Sequence, residues 1–415
     1  MTFEPDGRTA MTCPHTDFDI YDPALVAGAD TTRQAVARLA GLGPVARSEL
    51  YGGHWVVSGY NEVQEVLRHP ETYSSWPNNI VPRGTGKLLP LEIDPPDHGA
   101  YRQSLQRLFN PARMKALESE IRAIVTELID GFAARGDAEF VSEFAHPLPT
   151  RVFLALMGWP LEDAPLFTEA TDTILLGAPG GTEEESNAAR EQAAGRMYAY
   201  FGQVINDRRA GSAGSEDVTS AIMDTPIEID GVSRPLTDDE LCNMLFLLLI
   251  AGLHTTQGSL AWSLLHLAAH PDQRDRLVAD PGLVAGAVEE MLRIEAAVAP
   301  GRRVMADTTL AGVPLTAGDT VLLVLAGANA DPCEFDAPDE VRIDRSPNRH
   351  LSFGSGPHRC LGSHLARVEL RIALEELHRR IPGYRVDPGE LVQHPSQVRG
   401  VVRMPITFTP ESRPA

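Results

Sequence analysis

Residues 353–362, Phe-Gly-Ser-Gly-Pro-His-Arg-Cys-Leu-Gly, constrain this chain more than any other stretch. Cys360 stands in a loop with Gly354, Gly356 and Gly362, at the head of a helical pattern over 361–380. Glycines permit backbone conformations and a close approach that side chains forbid. Backbone N–H groups of the loop and the N-terminus of the following helix can stabilise a thiolate, and His358 and Arg359 add positive potential. A thiolate held this way is a metal ligand, and a flat glycine-rich loop suits the face of a large planar cofactor. The bland alternative is a buried structural cysteine in a turn, the commonest fate of a lone one. The three glycines and two basic neighbours speak against it.

The chain has 415 residues, room for two domains or one large unit. It is 43% hydrophobic and 22% charged, an ordinary globular balance. Acidic residues number 57 against 36 basic, a net charge of −21 that repels nucleic acid and anionic lipid. Cys13, Cys242, Cys333 and Cys360 show no C-x-x-C spacing, which argues against a disulfide framework or a structural zinc. No apolar stretch follows a basic start at the N-terminus. The longest apolar run, 244–253, falls well short of the roughly 20 residues that span a bilayer. The expectation is a soluble, cytoplasmic protein with no nucleic-acid or membrane partner.

Periodicity predicts a chain that is mainly α with a small β portion, built as one unit over 1–415. Residues 1–30 are expected over the surface. A helix follows at 31–42, then two strands within 45–58 around Gly52-Gly53, then a helix capped by Asn61 that stops before Pro70. Residues 74–96 read as a long functional loop. The body is helical over 97–295, with breaks near Pro111, Gly136, Pro160 and 179–181 and a polar loop at 211–217. Thr237-Asp-Asp-Glu240 is a capping box opening one long helix that runs to about His270. Strands are expected within 298–325 (303–310, 313–315 and 320–325), and a hairpin-like β stretch near 384–410 after the last helix.

The Cys360 loop resembles the haem-binding loop of the cytochromes P450. The resemblance extends over essentially the whole chain and implies a bacterial, helix-rich triangular prism enclosing haem b, with Cys360 as the axial ligand. Phe353, Gly354 and Gly362 then form the cofactor cradle. Three further motifs fit. Glu290-Met-Leu-Arg293 alone is a helix pair of little weight. About seventy residues ahead of Cys360, it is similar to the family's structural Glu–Arg pair, which meets Arg342 or Arg345. Asp94-Pro-Pro-Asp-His98-Gly-Ala-Tyr-Arg102 reads blandly as a Pro-initiated helix start. His98 and Arg102 lie four apart on one face, and buried haem carboxylates need charged donors. The resemblance assigns His98, Arg102, Arg302 and His358 to them. The Arg302-Arg303 doublet leaves an ambiguity of one residue, with Arg302 favoured. Ala251-Gly-Leu-His-Thr-Thr256 reads blandly as a helix with small packing residues and a back-bonded threonine, yet Gly252 in a helix interior costs about 1 kcal/mol. The segment resembles the oxygen-activation motif, with Ala251 and Gly252 against the cofactor and Thr255 at the threonine position.

His254 departs from that motif, where the family has an acid. A histidine can also relay protons, but its geometry and charge differ. His254→Ala is expected to change product formed per NAD(P)H consumed. The departure keeps open a peroxide-driven or atypical reaction, marked by turnover with peroxide alone. A haem-binding sensor or recruitment module is the non-enzyme alternative. The reading adopted is insertion of one oxygen atom from O2 into a small, largely apolar organic substrate by hydroxylation, dealkylation or epoxidation.

The resemblance places Leu247, Ile250, Ala251, Val298, Ala299 and Val398 around the substrate pocket. The 74–92 loop and the turn near Pro179 form a lid, whose Asn78, Asn79, Arg83 and Lys87 could meet a carboxylate. Arg345, Arg349, Arg359, Arg367 and Arg371, with Glu369 the one acid among them, form a basic stretch. It would dock an acidic ferredoxin, served by its reductase, near Cys360. A monomer is expected.

Overall fold

The structure is a computed structural model describing residues 13–81, 86–106, 108–211 and 217–411. Arg83, residues 1–12 and most of the polar 211–217 loop lie outside them.

Helices form the body and short strands its margins. Helix Glu118–Asp130 buries Ile121, Ile124, Val125 and Ile129, the three-and-four stripe visible in the sequence. Helices Pro147–Met157, Ala164–Leu176 and Glu183–Arg209 follow, separated at Gly158 and Gly177, both with positive φ. The capping box forms as expected: Glu240 N–H donates to Thr237 Oγ1 at 3.3 Å, and Thr237 N–H to the Glu240 carboxylate at 2.8 Å.

The largest sheet runs Val45–Ser48, His54–Val57, Thr320–Leu323, Gly301–Val304, Tyr73–Ser74. Its second and third strands pair in parallel, Val56 opposite Leu322, and the others are antiparallel. Ser74 lies opposite Arg303 and Val321 opposite Arg302. Segments some 230 residues apart thus meet at Arg303, next to Arg302.

Several expectations are corrected. Residues 13–30 are not merely superficial, since Phe18, Ile20, Leu25 and Val26 are buried in a small core with Val36, Leu39 and Val56. The helix expected from Asn61 is Tyr60–Arg68, with Gly59 at its cap. Residues 303–310 are two strands, Gly301–Val304 and Thr308–Leu310. Strand Asp137–Glu139 lies inside the stretch read as helical because its partner, Pro405–Phe408, is remote in sequence. Hairpin Ile227–Ile229/Val232–Arg234 turns at Asp230-Gly231, a recognised turn dipeptide that the helical reading overlooked.

The long helix is interrupted at Leu253, giving Asp238–Gly252 and His254–Ala269. Among the described residues, this Asp238–Ala269 stretch alone is long and apolar enough to cross a membrane, and it is the molecule's mostly buried central element.

Helix Ser363–Arg380 carries Glu369, 3% exposed, with Oε2 lacking a hydrogen-bond partner among the described residues. Burial pushes its carboxyl up to about 8. The folded state therefore keeps a proton that the unfolded chain releases, and stability falls as pH rises from about 4.5 to 8. Glu369→Gln should flatten that slope and add up to about 4 kcal/mol at pH 8. Urea unfolding at pH 5 and pH 8 checks this, and equal slopes for parent and variant would contradict it.

Candidate active site

Gly354 and Gly356, both at φ 67°, shape the Cys360 loop. A Cβ on Gly356 would lie 2.5 Å from the Leu67 carbonyl, so the loop closes against the Tyr60–Arg68 helix only with glycine there. Cys360 N–H donates to the Phe353 carbonyl at 2.8 Å, and the Arg367 guanidinium lies 4.4 Å from the Phe353 ring centre. The side chain of Cys360 retains accessible surface although protein surrounds its sulfur. Desolvation raises its thiol above the usual range, with the Gly362 N–H, Arg102, Arg359 and Arg367 pulling the other way. The expected thiolate-stabilising field is present and is outweighed by desolvation. His358 adds nothing to that field, for the reason below.

His98 and Arg102 come from helix Asp97–Gln106, Arg302 from the sheet and His358 from the cysteine loop. The His98 and His358 rings lie 4.2 Å apart, and Arg102 donates to the Arg359 carbonyl. Burial, then Arg102, holds His98 down at about 4. Burial, then Arg302 and His98, holds His358 at about 3. Burial pulls even Arg302 down to about 10. Arg303 instead reaches the Gly318 carbonyl, so Arg302 is the buried member of the doublet.

Sequence reasoning missed the anion of this group. Asp94 accepts from Ser74 Oγ and from Ser75 N–H and Oγ at 2.9 and 2.8 Å, and lies 3.8 Å from His358. Burial would raise its carboxyl, but these bonds hold it below the usual range. One carboxylate therefore faces the Arg302 guanidinium and two neutral histidines, with Arg102 beside the rings, and His98 Nε2 has no partner among the described residues. Such crowded donors suit a dianion.

Thr255 Oγ1 donates to the Ala251 carbonyl at 2.8 Å beside the Leu253 break, the back-bonding that bends helices. Ala251 and Gly252 are exposed between buried Leu249 and Leu253, and a Cβ on Gly252 or on Gly362 would meet nothing within 4 Å. Leu361 and Leu365 pack on the same core as Leu249, Leu253 and Tyr101, which brings the cysteine loop, the central helix and the His98 helix together. The residues present fit a haem: a sulfur donor, a receptor for two carboxylates and a cradle free of Cβ atoms.

His254 turns away from this opening. It is 6% exposed, with Nε2 3.0 Å from Asp172 Oδ1 on Ala164–Leu176.

Val298 and Val398 form an isolated bridge, both half-buried, as is Ile250. Leu247 is buried, and Ala299 packs in the N-terminal core with Ile80. Arg399 and His266 anchor this wall through buried Glu295, at 2.9 and 3.1 Å, a network not foreseen from sequence. In the lid loop, Asn78 N–H and Leu88 N–H both donate to Glu92, at 3.0 and 2.9 Å. Lys87 lies 5.6 Å from the centre of the Trp76 ring.

Glu290 is paired with Arg293 and Arg345, while Arg342 contributes its backbone N–H. The basic stretch is less free than its count suggests. Arg345 is buried on Glu290, Arg349 meets Glu334, Arg367 meets Glu289, and Arg371 meets Glu118 and Glu375.

A mostly helical body around a cysteine loop, a bent central helix and a cationic receptor defines a haem-thiolate class of protein. The family described as Cytochrome P450 matches residues 166–281 and 282–407. The cytochrome P450 monooxygenase PikC of Streptomyces venezuelae is 38% identical, over 90% of each chain. The vitamin D(3) 25-hydroxylase of Pseudonocardia autotrophica is 33% identical, over 91% of this chain and 94% of its own. The crystal structure of cytochrome P450 CYP101C1 has a TM-score of 0.84 at 32% identity and covers 96% of this chain and 98% of its own. This chain belongs to the cytochrome P450 family and is an oxidoreductase of the monooxygenase kind. Membership implies a thiolate-ligated haem iron, an organic substrate, O2 and redox partners.

Proposed function

We propose that Cys360 ligates the iron of haem b, and that the enzyme inserts one oxygen atom from O2 into a small, largely apolar organic substrate by hydroxylation, dealkylation or epoxidation. The convergence of His98, Arg102, Arg302 and His358 beside the Cys360 loop carries the reading. When bound, the haem supplies one-electron and O2 chemistry, with the thiolate favouring O–O cleavage.

The residues of the chain do the rest. Arg102 and Arg302 would bind the two haem carboxylates, His98 and His358 would donate to them as neutral rings, and Asp94, 3.8 Å from His358, would hold that ring. Ala251 and Gly252 would leave room for the cofactor, and Phe353, Gly354 and Gly362 would complete its cradle. Thr255 Oγ1 holds a proton at the open side, and its present acceptor, the Ala251 carbonyl, is one it can exchange for a nearer oxygen. His254, next in sequence to Thr255 and 3.0 Å from Asp172, is the titratable group that can supply protons to that hydroxyl when its Nε2 is free of metal. Leu247, Ile250, Val298, Ala299 and Val398 give an aliphatic wall that excludes water and favours apolar substrates. Relatives are named for hydroxylating vitamin D(3) and for hydroxylating or epoxidising mycinamicin IV, and one solved relative is in complex with testosterone.

The test is a reduced carbon monoxide spectrum followed by turnover. The thiolate band should appear, and product per NAD(P)H should fall severalfold in His254→Ala. Unchanged coupling would remove His254 from proton delivery. Peroxide alone matching the electron-fed rate would favour the peroxide-driven alternative, which the turning of His254 toward Asp172 motivates. Electrons would come from an acidic ferredoxin docking at exposed Arg359 and Arg68. A reduction rate that does not fall with ionic strength would count against that dock.

A further inference from the structure

Away from the cofactor side, three potential metal ligands from separate parts of the chain converge. His146 lies at the turn entering Pro147–Met157, Asp172 on Ala164–Leu176, and His254 at the Leu253 break. Asp172 Oδ1 is 3.0 Å from His254 Nε2 and 3.5 Å from His146 Nε2, and all three donor atoms lie within 4.8 Å of one another. Each histidine side chain is 7% exposed, while Asp172 keeps 39%.

The directions matter as much as the distances. Neither Nε2 makes a hydrogen bond among the described residues, although both lie close to the carboxylate. A pair of simple His–Asp bonds would put each N–H on line with the oxygen. Two buried nitrogens that crowd one oxygen without bonding it have a shared point between them instead. Ligands about 2.0–2.1 Å from a tetrahedral Zn²⁺ stand about 3.3–3.4 Å from each other, and the 3.0 and 3.5 Å separations here bracket that spacing.

We propose that His146 Nε2, Asp172 Oδ1 and His254 Nε2 form a binding site for a divalent transition-metal ion, Zn²⁺ fitting best. Two imidazoles and one carboxylate are a zinc donor set, with a fourth position for water beside the exposed edge of Asp172. The ion joins three elements, two of which are otherwise linked by the hydrogen bond from Thr168 Oγ1 to Thr150 Oγ1. It clamps helix Ala164–Leu176, which leads into the lid turn near Pro179, onto the break in the central helix. It also takes the His254 nitrogen lone pair, so the metal-bound form cannot pass protons through that ring. The site stands on its own geometry and does not depend on the oxygenation reading.

The test uses haem-loaded protein stripped of loose metal by a chelator and titrated calorimetrically with Zn²⁺ alone. One Zn²⁺ per chain is expected, with affinity falling at least about tenfold in His146→Ala and in Asp172→Asn. The visible spectrum of each variant verifies that it is folded and holds haem. X-ray absorption at the zinc edge of the parent should report two nitrogens and oxygen at about 2.0–2.1 Å, a measurement that needs no variant. Absence of saturable 1:1 uptake by the parent overturns the proposal. So does equal uptake by His146→Ala, which would place the ion elsewhere. Loss of monooxygenation with intact zinc uptake would instead count against the proposed function alone.

Discussion

Glu290→Ala is expected to cost about 3–5 kcal/mol of stability and to give protein that retains little haem. Glu290 is fully buried and accepts from Arg293 Nε and Nη2, both at 2.9 Å, and from Arg345 Nε at 3.0 and 3.1 Å. It also accepts from the Arg342 N–H at 3.0 Å and from Asn348 Nδ2 at 3.2 Å. Two guanidiniums share this one carboxylate, and their remaining hydrogen bonds go to the carbonyls of Asn329, Asp336, Ala337 and Glu340. Removing the anion leaves two buried cations facing carbonyl dipoles alone. Burial would raise the Glu290 carboxyl, but the Arg293 bond and charge, with Arg342 and Arg345, hold it below the usual range. Glu290→Gln keeps the shape and loses the charge, so it should recover little. Denaturant unfolding and haem content per chain check both variants. A Glu290→Ala protein within about 1 kcal/mol of the parent would show that the triad is not what holds the segment ahead of the cysteine loop.

Cys360→Ser should fold and lose function. Serine is nearly the same size, and the loop is held by its backbone bond from Cys360 N–H to Phe353 and by glycine geometry, neither of which needs sulfur. An alcohol does not become an anion at neutral pH, so the charge that Arg102, Arg359 and Arg367 favour never forms. The thiolate band of the reduced carbon monoxide complex should disappear. Oxygenation should fall on the order of a thousandfold, about 4 kcal/mol of barrier. Cys333→Ser, at an exposed cysteine beside Asp331, is the control and should change neither. A thiolate band surviving in Cys360→Ser would move the iron ligand elsewhere.

Local patterns carried much of this protein. The 353–362 loop needs its glycines because of contacts a few ångströms away, so residue type alone marks it. The capping box and the stripe of Glu118–Asp130 are legible for the same reason, since each depends on neighbours three or four residues along. Legibility failed where the partner is remote. Strand Asp137–Glu139 exists because Pro405–Phe408 pairs with it, and Asp94 acts as an anion because Ser74 and Ser75 are folded back onto it.

Charge shows the limit most clearly. The five arginines of 345–371 look like a basic surface, yet four are drawn onto acids contributed by other segments. His254 looks like a substitute for an acid facing the cofactor, yet folding hands it to Asp172 and His146. By itself the sequence determined the family and the mainly helical architecture, because those rest on short-range spacing and backbone freedom. Only the tertiary structure decided which charges are free, which histidines stay neutral and where His254 points. Those outcomes depend on desolvation and on distances between groups far apart in the chain, and no linear pattern encodes either.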